Sequence, residues 1–254
     1  MWTFANPSVF LRWSGVMLPW LWGLTAAVFA FGLYKSFFVA PADYQQGNTV
    51  RIMFIHVPAA WLAMMCYAIM AVSALGSLVW RHPMADVSIR AAAPIGAVFT
   101  AIALITGALW GQPMWGTWWV WDARLTSVLV LFLMYLGLIA LGSALEDHAK
   151  SGRLVAVLVL VGFINIPIIK FSVDWWNTLH QPASVARFDG PTIHPDILVP
   201  LLVMAVAHIL LFFALHMTGM RTLVYRRKAE TLMMRAAHAA DRRTMASPAP
   251  EAAE

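Results

Sequence analysis

The sequence predicts an all-α integral membrane protein: six transmembrane helices with a tryptophan-rich interfacial segment between helices 3 and 4. Three observations predict it. Of 254 residues, 61% are apolar and 11% charged, against about 45–50% and about 25% in soluble domains. The apolar residues gather into six runs long enough to cross a hydrocarbon core of about 30 Å, which takes about 20 helical residues. No run alternates with period two over ten residues, which excludes a membrane β-barrel. The same composition excludes a free-standing soluble enzyme, a disordered tail and a fibrous repeat.

The spans fall at roughly 16–38, 52–79, 92–110, 126–145, 154–171 and 197–219. Ala40-Pro41-Ala42 mimics a signal-peptidase site, but the run before it exceeds the about 7–15 apolar residues of a signal peptide. It is therefore read as a permanent helix. Six is even, so both termini share a face. That face carries Arg12, Arg81, Arg90, Lys150, Arg153 and seven basic residues beyond 220; the other carries Lys35, Arg51, Arg124, Lys170 and Arg187. The excess places the termini in the cytoplasm. Residues 1–225 form the membrane domain, with an outer-face loop at 110–126. Residues 226–254 read as a basic, flexible cytoplasmic tail. The formal charge of +5 is explained by that tail beside lipid, with no nucleic acid required.

Several chemistries are excluded by absent motifs. The chain has no G-x-x-x-x-G-K-[ST] for a P-loop, no H-E-x-x-H for a zinc protease and no C-x-x-C for thiol exchange. Its one cysteine, Cys66, lies in an apolar run and cannot complete the C-x-x-C-H needed for c-type haem. It reads as a small buried hydrophobe.

Thirteen tryptophans are present, five of them between Trp110 and Trp121. An even spread would put about 0.6 in those twelve residues. If residues 115–122 are helical, Trp115, Trp118, Trp119 and Asp122 share a face, and the segment lies in the interface plane. Two readings stay open: an aromatic belt against lipid, or a bed for a planar aromatic ligand.

Histidines form a second group. His56, in the second span, and His180, between spans five and six, lie by parity on the same face as the tryptophan loop. Two imidazoles beside a bed of indoles fit an iron porphyrin, with histidine in both axial positions. Arg51 and Arg124 are candidates to clamp a propionate, and Asp122 and Arg124 to fix loop geometry. Neutral imidazole ligates, so a haem held this way should be lost near pH 6–6.5, the ordinary histidine range of about 6.5. His208 and His216, in the sixth span, stand about 80° apart on the helix. They read as neutral histidines bonded to neighbours, or as a second haem or quinone site. His194 is a weaker candidate on the outer face.

Three segments carry a resemblance. Trp110-Gly111…Trp115-Gly116-Thr117-Trp118-Trp119-Val120-Trp121-Asp122 resembles the tryptophan-rich WWD signature of haem-handling proteins in cytochrome c maturation. Within that group, Ile55-His56-Val57-Pro58-Ala59-Ala60-Trp61 and Asp174-Trp175-Trp176-Asn177-Thr178-Leu179-His180-Gln181-Pro182, with the six-span length, resemble the CcmC family over roughly residues 10–225. CcmF and the system II synthetase share the loop but are longer.

The resemblance implies a protein of the bacterial inner membrane that holds haem b as transient cargo on the periplasmic face. It implies His56 and His180 as iron ligands and Trp110, Trp115, Trp118, Trp119 and Trp121 as the cover of the ring, with Asp122, Arg124 and Arg51 around it. Haem is presented for covalent attachment to the chaperone CcmE. The ATP-binding-cassette pair CcmA and CcmB and the small protein CcmD act with it, so the chain is a platform and not an enzyme. Two alternatives stand beside this reading: a haem exporter or channel, and a bis-histidine electron-transfer cytochrome b.

Overall fold

A computed structural model describes residues 6–144, 148–182, 184, 185 and 187–246. Seven α-helices follow in chain order: α1 (Pro7–Tyr34), α2 (Met53–Trp80), α3 (Ala85–Trp115), α4 (Ala123–Ala144), α5 (His148–Gly162), α6 (Asn165–Trp175) and α7 (Pro195–Ala246). Among the described residues six helical stretches are long and apolar enough to cross a membrane: Pro7–Val39, Asn48–Trp80, Ala85–Trp115, Ala123–Ala144, Ser151–Trp175 and Pro195–Ala239. A chain crossing lipid must satisfy its own backbone polar groups, which a helix does internally. The chain is a multi-pass membrane protein.

Each span is longer than the hydropathy reading gave. The fifth differs in kind, because α5 and α6 are separated by a turn at Phe163 and Ile164. Pro167 supplies the reason: it has no N–H to donate, and its ring crowds the carbonyl of residue 163. Asn165 bridges the break by donating from Nδ2 to the Ser127 carbonyl of α4 at 2.9 Å. Beyond residue 225, in the stretch read from sequence as a basic tail, α7 runs on to Ala246. This stretch is rich in Ala, Arg and Met, all strong helix formers, and Arg226 pairs with Glu230 one turn on. The remainder, 247–254, lies outside the described residues.

Packing follows the small residues. α2 lies along α3, and α1 along α7. Ala59, Ala63, Ala71 and Ala74 of α2 and Ala92, Ala93, Ala97 and Ala103 of α3 are all buried in one cluster. Lipid solvates apolar side chains as well as protein does, so close backbone approach through Ala and Gly drives such pairing. Gly96 is the tightest case. A Cβ there would collide with the ring of Tyr135, a fully buried residue whose hydroxyl donates to the Ala63 carbonyl at 2.7 Å. Gly96→Ala is expected to cost about 1–3 kcal/mol through overpacking. Thermal unfolding in detergent should show a lowered midpoint; an unchanged one would contradict this packing.

The face carrying the termini is closed by a charge network. Asp86 pairs with Arg90 at 3.1 Å and with Arg227 of α7. Arg90 also donates to the Gly142 carbonyl of α4 and to Ser151 Oγ of α5. Four helices meet there through one carboxylate. The opposite face is left to connecting segments and the mouths of α2, α3, α6 and α7.

Candidate functional site

On the face opposite the termini, α3 ends at Trp115 and Gly116 turns the chain away with φ +72°. The Gly116 N–H donates back to the Gln112 carbonyl, a helix stop that favours glycine. Residues 117–122 are therefore not helical, which corrects the expected interfacial helix over 115–122. The indoles do not form one helical stripe. Trp110 and Trp115 belong to α3, while Trp118, Trp119 and Trp121 come from the loop. The Thr117 hydroxyl holds that loop, donating to the Trp119 carbonyl at 3.0 Å.

The five tryptophans divide by exposure. Trp115, Trp118 and Trp121 are 38%, 59% and 76% exposed. Trp110 and Trp119 are half-buried. Trp110 packs against the cluster formed by Phe54, Leu201 and Met204, and its Nε1 donates to Gln46 Oε1 at 3.0 Å. Gln46 is presented by a tight turn that Gly47 closes at φ +57°. Trp115 folds back over Gly111, where a Cβ would stand 3.0 Å from its ring.

Each histidine meets one of these indoles. His56, one turn into α2, lies edge-on to Trp110 with ring centres 5.6 Å apart. His180 lies 5.0 Å from Trp115 in the same manner. The two imidazoles are close enough for a charge on one to be felt at the other. His56 Nδ1 is 3.0 Å from Thr106 Oγ1 of α3. His180 Nδ1 is buried without a hydrogen-bond partner, 3.9 Å from Asp122 Oδ2, beyond hydrogen-bond length.

Asp122 organises the join. Its Oδ1 accepts from the Leu125 N–H at 2.7 Å, capping the first turn of α4. Its Oδ2 accepts from the Leu179 N–H at 3.3 Å, tethering the segment that carries His180. Arg124 is committed elsewhere: Nε donates to Ser172 Oγ, and Nη2 to the Ile169 and Lys170 carbonyls. It fixes α4 to α6. Burial, reinforced by the positive charge of Arg124, holds the His180 imidazole down at about 4 against the opposing pull of Asp122. His180 is neutral at physiological pH.

Two N–H donors among these residues have no acceptor: Arg51 Nε and Trp119 Nε1 are both buried and unpartnered. Buried donors rarely go unsatisfied, and these two stand in the segment leading to His56 and in the loop of the exposed indoles. The residues fit a flat, apolar, metal-bearing ring with acidic edges. His194 takes no part; its carbonyl accepts from Ile197 and Leu198 at the start of α7. His208 lies between Phe29 and Phe99, and its Nδ1 donates to the Met204 carbonyl. His216 bonds Ser88 of α3. Gln46, Thr106, Gly107 and Gly111 were not singled out as site residues from sequence. Gly116, immediately after Trp115, was the readable sign that the helix stops there.

Known proteins resemble this chain over nearly its whole length. The family model described as heme exporter protein C matches residues 1–235. A protein of Bradyrhizobium diazoefficiens named heme exporter protein C is 60% identical over 91% of this chain and 87% of its own. Its namesake in Escherichia coli K12 is 50% identical over 87% and 89%. A ccmC-like mitochondrial protein of Marchantia polymorpha, named for cytochrome c biosynthesis, is 48% identical over 75% and 78%. Placed on six spans with the histidines and tryptophans gathered on one face, these matches establish that the chain belongs to the heme exporter protein C family, CcmC.

Proposed function

We propose that this chain binds haem b as cargo on the face opposite its termini and presents it for transfer during cytochrome c biogenesis. The observation that carries the reading is that His56 meets Trp110 and His180 meets Trp115 on one face. With Nδ1 of each ring turned toward Thr106 or Asp122, Nε2 is the atom for iron. The exposed indoles of Trp115, Trp118 and Trp121 cover the macrocycle. Arg51 Nε and Trp119 Nε1 supply donors for its propionates. Arg124 supports the loop from behind. The names of the relatives, haem export and cytochrome c biosynthesis, agree with this cargo.

The protein's part is orientation and display; the covalent chemistry belongs to haem and its acceptor. In this reading one ring edge stays open, so that the chaperone CcmE reaches a vinyl group from the periplasm. CcmA and CcmB supply energy that a chain lacking a P-loop cannot, with CcmD alongside. The chain sits in the bacterial inner membrane with cytoplasmic termini, where the charge network of Asp86, Arg90 and Arg227 agrees with the excess of basic residues.

Passage of haem through the helices of this chain is the second reading, favoured by the relatives' printed name. It is disfavoured by three of the buried hydroxyls of the spans. Ser14, Thr25 and Thr100 each donate to a carbonyl of their own helix, so they line no polar path.

The test is titration of haem into the purified protein. A six-coordinate bis-imidazole spectrum with one haem per chain is expected. A five-coordinate spectrum, or no saturable binding, would contradict the proposal. The same titration has a pH signature. Protons compete with iron only near the free ligand's pKa, and His180 titrates at about 4, well below the ordinary histidine value. On the His180 side affinity should hold from pH 7 to about 5 and fall below about pH 4.5, not at the pH 6–6.5 expected from sequence. Loss with a midpoint near 6.5 would show that the buried, neutral state of His180 is wrong.

A further inference from the structure

We infer that Thr106 is a positioning residue for His56, selecting the tautomer that leaves Nε2 free; its consequence for haem rests on the ligand reading above. Thr106 Oγ1 lies 2.6 Å from the Ile102 carbonyl four residues earlier on α3 and 3.0 Å from His56 Nδ1. A threonine hydroxyl has one hydrogen, and a carbonyl can only accept, so that hydrogen points to Ile102. Oγ1 therefore meets the imidazole with a lone pair, and Nδ1 must carry the proton. A neutral imidazole protonated at Nδ1 has its lone pair on Nε2.

The neighbours on α3 complete the seat. A Cβ on Gly107 would stand 3.0 Å from His56 Cε1, so the ring rests where that side chain is missing. Trp110, one turn beyond Thr106, meets the same imidazole edge-on. Residues 103, 106, 107 and 110 lie on one side of α3 by helical spacing. Its face toward α2 therefore acts as a mould for one imidazole. Ligating histidines generally have such a partner on the second nitrogen, and removing it costs about 10–100-fold in metal affinity. The partners here differ in charge: a hydroxyl for His56, a carboxylate near His180.

The experiment uses the full chain with Thr106→Val, which keeps the shape and removes the acceptor, and Thr106→Ser, which keeps the acceptor. Histidine 15N spectra of the haem-free protein should show Nδ1-protonated His56 in wild type and T106S, and a loss of that preference in T106V. Haem titration should show T106V weakened about 10–100-fold with an altered low-spin signature, and T106S close to wild type. Should T106V fold poorly, Thr106→Ala carries the same expectation. An unchanged tautomer in the valine or alanine variant would overturn the inference. If the tautomer shifts in T106V while His56→Ala leaves the haem spectrum untouched, Thr106 still sets the ring and only the ligand reading falls.

Discussion

Purified with His180→Ala, the protein is expected to lose the six-coordinate spectrum of bound haem and to retain haem at least about 100-fold more weakly. Loss of a mere supporting contact costs about 10–100-fold, and loss of the ligand itself should reach or exceed that range. His180 is the cleaner of the two ligands to remove. It stands on the segment after α6, its Nδ1 has no hydrogen-bond partner, and its ring packs on one indole, Trp115. The fold around it rests on Leu179 and Asp122. His56→Ala should show the same spectral loss, but with additional loosening, because Trp110 and Thr106 both lose a neighbour. The visible spectrum and haem content of both variants check this. An unaltered spectrum in either one would remove that histidine from the iron.

Asp122→Ala should be the most damaging change that touches no ligand. It removes the cap of α4, worth about 1 kcal/mol, and frees the Leu179 N–H. It also strips away the carboxylate facing His180 Nδ1. Haem retention should fall about 10–100-fold. Asp122→Asn separates the roles. Its one amide oxygen can still cap α4, so most of the stability should stay, while the Leu179 tether and the charge facing His180 are lost and haem binding weakens. The sign of the pH effect is set as well: Asp122 favours the charged imidazole, so without it His180 titrates lower, and acid loss of haem should not move upward. Equal stability and equal haem retention in D122A would show that Asp122 neither caps nor orients.

The spans were legible because burial in lipid demands long apolar runs, and composition alone reveals those. Their ends were less so. The spacing of Trp115, Trp118, Trp119 and Asp122 matches a helix period, yet Gly116 occupies a left-handed conformation and breaks the helix after Trp115. Periodicity recorded the indoles but not the chain path between them. Pro167 splits the fifth span for a reason visible in sequence, whereas the continuation of α7 through Arg226 and Glu230 follows from helix propensity in a segment with no core to pack on.

The face on which His56, His180 and the indoles gather was legible by counting spans. Parity places loops without any knowledge of packing. What surrounds each ring was not. Thr106 lies 50 residues from His56, and Gln46 lies 64 residues from Trp110. Such contacts depend on which side of α2 turns toward α3, and the buried alanines set that. Arg124 shows the same limit: basic charge beside a tryptophan loop fits a propionate clamp, but three bonds to α6 use its guanidinium for structure.

The most direct test of the central claim is a density map of the haem-loaded protein in a lipid disc. One porphyrin is expected on the face opposite the termini, its iron between His56 Nε2 and His180 Nε2, with Trp115, Trp118 and Trp121 against the ring. A porphyrin held at His208 or His216 within the spans, or one bound by the tryptophans with neither His56 nor His180 on its iron, would contradict it.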